Sequence, residues 1–139
     1  MINKPLYYIL SFTWGLPLNL IGGIVSIILL MLGYHPKKFG WCYYFEIGHG
    51  WGGCELGLVF LCAKNSTERI KAHEFGHSIQ NCFFGFLMPF IICIPSAIRY
   101  WYREWKKAHG KSNLPLYDSI WFEGQATRLG LKYIDMLNK

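Results

Sequence analysis

The sequence begins with an uncharged segment that limits the folds open to this chain. No Asp, Glu, Lys or Arg occurs between Lys4 and Lys37, a run of 32 residues. About 20 helical residues, at roughly 1.5 Å each, are enough to cross the hydrocarbon core of a bilayer. The segment therefore predicts one transmembrane helix over residues 6–34, and Gly15, Pro17, Gly22 and Gly23 suggest that this helix is kinked.

The composition agrees with a membrane setting. The chain has 139 residues, of which 53% are hydrophobic and 16% charged, whereas an ordinary soluble domain is about 25% charged. Too few polar residues are present to cover the large relative surface of a small globule. These values exclude a disordered chain, a collagen-like fibre and a typical soluble enzyme, and they favour one membrane-embedded domain over residues 1–139.

A second apolar segment, residues 82–98, is 17 residues long and lies at the lower limit for a membrane span. Gly85, Pro89 and Pro95 interrupt it and can break a helix. From these residues alone, the segment either crosses the bilayer or is re-entrant.

Residues 39–63 combine aromatic β-formers with a glycine-rich stretch, which predicts a short β-hairpin. The five cysteines form no C-x-x-C pair, so we expect them to be reduced. A Cys42–Cys54 bridge across the hairpin stays open as an alternative.

The rest of the chain is predicted to be mainly α-helical. Capping residues predict that a helix begins near Ser66 or Thr67, within a zinc helix and apolar segment over residues 66–98. A basic amphipathic stretch over 99–111 and a C-terminal helix over 114–137 follow.

The helix near residue 70 carries an H-E-x-x-H motif, His73-Glu74-Phe75-Gly76-His77. Residues four apart lie about 40° apart around a helix, so His73 and His77 can bind one metal ion. Glu74 is placed to act as a base on a metal-bound water. Zn²⁺ is the expected ion, because it accepts imidazole nitrogen and activates water.

Catalytic zinc normally takes a third protein ligand. We favour Glu123, because it shares one helical stripe with the small residues Ala126, Thr127 and Gly130, which allow close packing on the histidine helix. The other candidates are His109, Asp118, Asp135, His35, His49 and Cys54.

The two motifs together resemble a known pattern. H-E-F-G-H followed by E-G-Q-A-T-R-L-G is similar to the gluzincin pattern, H-E-x-x-H then E-x-x-A-D. It is most similar to the integral-membrane zinc metallopeptidases of the heat-shock and CAAX-prenyl endopeptidase type, over about residues 55–131. The resemblance implies that His73, His77 and Glu123 bind Zn²⁺ and that Glu74 is the general base. It also implies that a strand within Leu56–Cys62 is the sheet edge that holds an extended peptide.

One position departs from that family. Thr127 stands where the family commonly has an Asp that orients a zinc-binding histidine. We therefore expect the side chain of Thr127, Asp118 or Asn81 to orient a zinc ligand in place of that Asp. The chain is also far shorter than those enzymes, so it would be a minimal version or a homo-oligomer.

The proposed ligands constrain the topology. If residues 82–98 crossed the bilayer, His77 and Glu123 would start about 30 Å apart, so Glu123 as a ligand requires this segment to turn back or to lie along the interface. With one span, which we favour, the positive-inside rule places the N-terminus outside and everything after Lys37 in the cytoplasm of a bacterial-type plasma membrane. With two full spans, both ends would be cytoplasmic and the H-E-x-x-H motif would lie near the outer face. Residues 99–111 are expected to lie at anionic headgroups and not on nucleic acid.

The predicted function is a membrane-bound zinc endopeptidase that hydrolyses a peptide or membrane-protein substrate. The candidates to stabilise the oxyanion are Tyr117, Arg128, Tyr133 and His109. The alternative is a non-enzymatic membrane interaction or immunity-type protein with a structural or vestigial zinc site. A structural site would fill the fourth position with a protein ligand such as Cys54, His49 or His109.

Overall fold

The N-terminal apolar segment folds as two helices in the computed structural model, which describes residues 2–139. They are α1 (Lys4–Phe12) and α2 (Leu16–Met31). The two axes differ by 87°, so the prediction of one kinked transmembrane helix over 6–34 is wrong. Pro17 sits in the first turn of α2, where its missing N–H costs nothing. The Asn19 side chain donates to the carbonyls of Ser11 and Gly15 at this break.

The region predicted as one hairpin over 39–63 is a four-stranded mixed sheet. Its strands are β1 (Lys37–Phe39), β2 (Cys42–Glu46), β3 (Gly53–Glu55) and β4 (Val59–Cys62), in the order β1-β2-β4-β3. Two antiparallel hairpins, β1–β2 and β3–β4, are joined by parallel pairing of β2 with β4. The difference arises because the glycine-rich residues 47–52 lead the chain away from β2, which leaves the position beside β2 to be occupied by β4.

The second apolar segment turns back on itself. α3 (Glu68–Phe84) leads through a 3-10 turn (Gly85–Leu87) and a π-helical turn (Pro89–Cys93) into α4 (Ile94–Ala108). Gly85 ends α3 with a φ of 54°, which favours glycine, and its bare Cα faces the Trp14 ring at the break between α1 and α2. The bend between the two halves is 114°.

Two pairs of helices with a bend between them are the candidate membrane spans. Within residues 2–139 no single helix has both the length and the apolar character needed for a span, but each pair reaches that level jointly. The pairs are Lys4–Phe12 with Leu16–Met31, and Glu68–Leu87 with Pro89–Ala108.

The C-terminal helix is shorter than the range 114–137 that the sequence predicts. α5 spans Trp121–Leu137 after a 3-10 turn at Tyr117–Ser119. The preceding residues are held extended because Arg103 of α4 donates to the Pro115 carbonyl and Arg99 donates to the Leu116 carbonyl. The basic stretch predicted over 99–111 falls largely in α4. The described chain is thus mainly helical, as predicted, with a small mixed sheet.

An aromatic core joins α1, the sheet, α3 and α5. Tyr7, Trp41, Phe75 and Tyr133 are buried there and meet mostly edge to face. All five cysteines are free, so the Cys42–Cys54 bridge is not formed. Cys42 instead lies in the core, within 2.9 Å of the Tyr7 hydroxyl.

Helices α3 and α5 touch through their backbones. A Cβ on Gly76 of α3 would overlap the Ala126 carbonyl of α5, and a Cβ on Gly130 of α5 would overlap the Ala72 carbonyl of α3. Neither neighbour is a flexible side-chain end, so only glycine fits at either position. This crossing sets the distance between the H-E-x-x-H helix and the helix that carries Glu123.

We predict that Gly76→Ala and Gly130→Ala each lower the free energy of unfolding by about 1–3 kcal/mol, because the added methyl forces the helices apart. Thermal unfolding in mild detergent would measure the change. Gly23→Ala is the matched control, since a Cβ added at Gly23 would meet nothing within 4 Å. That helical site should gain about 0.5–1 kcal/mol. Equal behaviour of all three variants would contradict the close crossing.

Candidate functional site

Helix α3 presents His73, Glu74 and His77 together. Thr67, one of the two residues predicted to start the helix, is its N-cap and accepts from the Ile70 N–H. The helix is buried from Glu74 to Cys82. Because α5 crosses α3 at Gly76, the first turn of α5 brings the Glu123 carboxylate against both histidines.

The three side chains converge on one point. Glu123 Oε2 lies 3.0 Å from His73 Nε2 and 3.1 Å from His77 Nε2. The two Nε2 atoms are themselves 3.1 Å apart. The Glu123 side chain is fully buried, and those of His73 and His77 are 13% and 8% exposed. Among residues 2–139 this is the one group of His, Cys, Asp or Glu side chains with metal-binding spacing.

The partners of Gln80 fix the tautomer of His77. The Gln80 amide nitrogen donates to the Phe122 carbonyl and to the Gln125 side-chain oxygen. Its oxygen must therefore face His77 Nδ1, at 2.7 Å, and accept a hydrogen bond from that nitrogen. A neutral His77 then carries a lone pair on Nε2.

His73 is oriented in the same way by α5. Its Nδ1 lies 2.8 Å from the Thr127 hydroxyl, which can accept a hydrogen bond from the Nδ1–H. With both Nδ1 atoms protonated, the lone pairs of His73, His77 and Glu123 all point at one another. Such an arrangement requires a cation, either a proton or a metal ion, at its centre.

His73, His77 and Glu123 form a donor set that fits Zn²⁺. Ligands at zinc distances in a tetrahedron lie about 3.3 Å apart, close to the 3.0 and 3.1 Å separations seen here. When a proton instead of a metal ion occupies the centre, imidazole Nε2–H groups donate to Glu123; burial by itself would raise the pKa of Glu123, but these hydrogen bonds with His73 and His77 outweigh it and hold that pKa well below its usual range. Two imidazoles and one carboxylate form three of the four positions of a zinc site and leave the fourth open.

Glu74 lies beside the donor set without belonging to it. Burial raises the pKa of Glu74 to about 7, against an opposing effect of His77. The edge strand β3 approaches closely enough that a Cβ on Gly53 would overlap the Glu74 carboxylate. Glycine at 53 therefore lets the strand lie directly over the acid.

The site opens into a cleft of about 780 Å³ between β3 and α4. The resemblance predicts a substrate-holding edge within Leu56–Cys62, and this prediction is wrong. β4 (Val59–Cys62) is internal to the sheet, and β3 is the edge strand that lines the cleft. β3 pairs antiparallel with the side of β4 that faces away from β2, and so takes the outer position in the sheet.

A second buried carboxyl, Glu55, belongs to β3. Its Oε1 accepts from the Gly57 N–H at 2.6 Å and so braces the β3–β4 turn. Burial raises the pKa of Glu55 well above its usual value, which favours the neutral acid.

Only one of the four predicted oxyanion-stabilising residues reaches the cleft. Tyr117 lines it, with its ring centroid 6.2 Å from that of His73. Burial raises the pKa of Tyr117 to about 12, so its hydroxyl remains a donor at neutral pH. Arg128 is exposed on α5, Tyr133 is buried with its hydroxyl bound to Ile2, and His109 is exposed beyond the end of α4.

Of the three residues predicted to support the zinc ligands, only one contacts a ligand. Thr127 contacts His73 as expected. Asp118 instead pairs with Arg69 at 2.8 Å, and Asn81 donates to the Gly15 carbonyl. The other ligand candidates, His35, His49, Cys54, His109 and Asp135, are exposed and outside the cluster.

Two residues of the site, Gln80 and Ser96, were not predicted from the sequence. Gln80 lies three residues after His77 on α3, a spacing that could have suggested it. Ser96 donates to Glu123 Oε1 and lies 3.2 Å from the Tyr117 hydroxyl. No local pattern signals this contact, because it depends on how α4 folds back.

Comparison with known proteins found no matching family model, no matching curated protein and no matching solved structure.

We predict that wild-type protein binds one zinc ion per chain and that His77→Ala and Glu123→Ala abolish tight binding. Thr127→Val, which keeps the shape but removes the acceptor from His73, should weaken binding about 10–100-fold. Competition with a zinc-chelating dye would measure the affinities. Thr127→Ser, which keeps the hydroxyl, is the control. A wild type without zinc would contradict the metal site.

Proposed function

We propose that the protein is a zinc-dependent, membrane-bound endopeptidase. The observation that carries the proposal is the donor set of His73, His77 and Glu123, which leaves one coordination position open toward a cleft that also holds Glu74. A structural zinc site would use a fourth protein ligand. Within residues 2–139 no fourth His, Cys, Asp or Glu joins the group, which favours catalysis over a structural role.

The chemistry divides between the ion and the chain. Bound zinc would supply a Lewis acid that polarises a peptide carbonyl and lowers the pKa of water to about 7. Glu74 would take a proton from the attacking water and later deliver it to the leaving amine. Its buried carboxyl, whose pKa of about 7 lies near neutrality, can both accept and release a proton.

The substrate would bind as an extended peptide along β3. This strand pairs with β4 on one side and lines the cleft at the end of the sheet. Backbone hydrogen bonds to such an edge hold a peptide without requiring a particular sequence. Because Gly53 lies directly over Glu74, a peptide bond paired with β3 would be delivered next to the base.

Apolar surface on the helices supports a membrane location. Ile24 and Ile27 of α2 are each 60% exposed, and Met31 is 83% exposed. The breaks of the two bent pairs touch each other, with the Trp14 and Phe86 rings 4.5 Å apart. We place α1, α2 and this contact region in the bilayer and the zinc cleft on the cytoplasmic side.

We predict that Glu74→Gln retains one zinc per chain but lowers peptide cleavage roughly 10²–10⁴-fold, because the amide cannot accept the proton of water. Cleavage of a quenched fluorescent membrane peptide in proteoliposomes would measure it.

Glu68→Gln is the matched control for Glu74, since it removes an exposed carboxylate from the same helix. It should keep wild-type activity. Unchanged cleavage by Glu74→Gln would remove Glu74 as the base, and a zinc-loaded wild type that cleaves no peptide would contradict the enzymatic proposal.

We predict that Tyr117→Phe lowers kcat about 10²–10³-fold with little change in KM, because the hydroxyl would stabilise the oxyanion. Steady-state kinetics with the same peptide would separate the two constants. Tyr133→Phe is the comparison, since that hydroxyl binds Ile2 away from the cleft. It should affect stability but not kcat.

A further inference from the structure

The outer face of α4 is an unburied apolar stripe. Ile94, Ile98, Trp101 and Trp105 recur at helical spacing and are 51%, 64%, 70% and 57% exposed. The stripe extends about 16 Å along the helix axis. No residue of α4 is buried, so this apolar surface has no cover within the described part of the chain.

The inner face of α4 is polar and faces the site. Arg99 donates to the Tyr117 carbonyl and to Ser119, and Arg103 donates to the Pro115 carbonyl. Ser96 donates to the Glu123 carboxylate. The helix is therefore held to the protein by polar contacts, one of which reaches a proposed zinc ligand.

We propose that α4 docks by its apolar stripe on a bilayer surface that contains anionic lipid, and that this docking steadies Glu123 through Ser96. The inference deepens the proposed function and rests on its zinc site and membrane location.

Charge identifies the occupant of the stripe. Lys106 lies at the C-terminal end of α4 and Lys111 follows shortly after, whereas Lys107 pairs with Glu104 at 2.6 Å and lines the cleft. The Lys106 ammonium lies 4.6 Å from the centre of the Tyr102 ring, which is itself exposed on α4. Lysines with this placement extend toward headgroups while the apolar residues enter the acyl boundary.

The stripe also continues into the surface that we place in the bilayer. The turn before α4 exposes Phe86 and Phe90, at 48% and 69%, and Phe86 packs on Trp14. A helix that leaves this region with its apolar side exposed and lysines at its far end is suited to lie along the interface.

Hydrogen exchange of the full-length, zinc-loaded protein in nanodiscs would test the docking. One set of discs would contain phosphatidylcholine, and the other equal parts of phosphatidylcholine and phosphatidylglycerol. Each lysine near an anionic surface favours binding about fivefold. We expect amides of α4 to exchange at least about tenfold more slowly in the anionic discs.

Substitutions on both sides of the helix sharpen the test. Ile98→Glu with Trp105→Glu should remove the protection in both discs, and Lys106→Gln with Lys111→Gln should remove the dependence on anionic lipid. Leu116→Glu is the control, since Leu116 is 81% exposed but lies off α4. Equal exchange in both discs for wild type would overturn the proposal, as would protection that depends on protein concentration, because a second copy would then cover the stripe.

The rate of zinc loss to a chelator would test the coupling. It should be at least about fivefold slower in anionic discs, and Ser96→Ala should remove that difference while leaving the α4 protection intact. A lipid-dependent rate that survives Ser96→Ala would overturn the coupling. These readouts do not use cleavage, so an inactive protein with lipid-dependent α4 protection would refute the peptidase proposal alone.

Discussion

The contact between the backbones of α3 and α5 is the constraint on which the site depends. Gly76 and Gly130 remove the side chains that would keep the helices apart, and each lies against a carbonyl of the other helix. Only at this distance can a side chain as short as that of Glu123 reach both histidines. The donor set is therefore formed by His and Glu side chains, whereas its geometry is set by two glycines that have no side chain to bind a metal ion or move a proton.

Two other elements complete the site from opposite sides. The edge strand β3 of the β3–β4 hairpin brings Gly53 onto Glu74. The bend after α3 returns the chain so that Ser96 contacts both Glu123 and Tyr117. The site is thus a layered arrangement of base, donor set and hydroxyl groups contributed by residues from 53 to 127. A chain this short achieves it by reversing direction at glycine and proline positions and by using small residues where elements cross.

The sequence was sufficient for features that depend on local spacing. The H-E-x-x-H motif places two imidazoles on one helical face whatever the fold, and the stripe of Glu123, Ala126 and Gly130 already indicates close packing. Features that depend on long-range pairing were missed. Gly15 and Pro17 indicate a kink, but uniform hydrophobicity on both sides hides a break as large as 87°, and the parallel pairing of β2 with β4 has no local signal. Tyr117 could not be separated from Tyr133, because both are aromatic hydroxyls and only the fold tells which one faces the cleft.

The orientation of Gln80 links metal supply to folding. Its amide is anchored by a backbone carbonyl of α5, so it fixes the lone pair of His77 inward before any ion arrives. Without a bound cation, the packed state of α3 against α5 must either take up a proton or hold mutually repelling lone pairs. Since an ion that binds only the folded chain stabilises it by mass action, the free zinc concentration would set what fraction of newly made chains keeps these two helices docked.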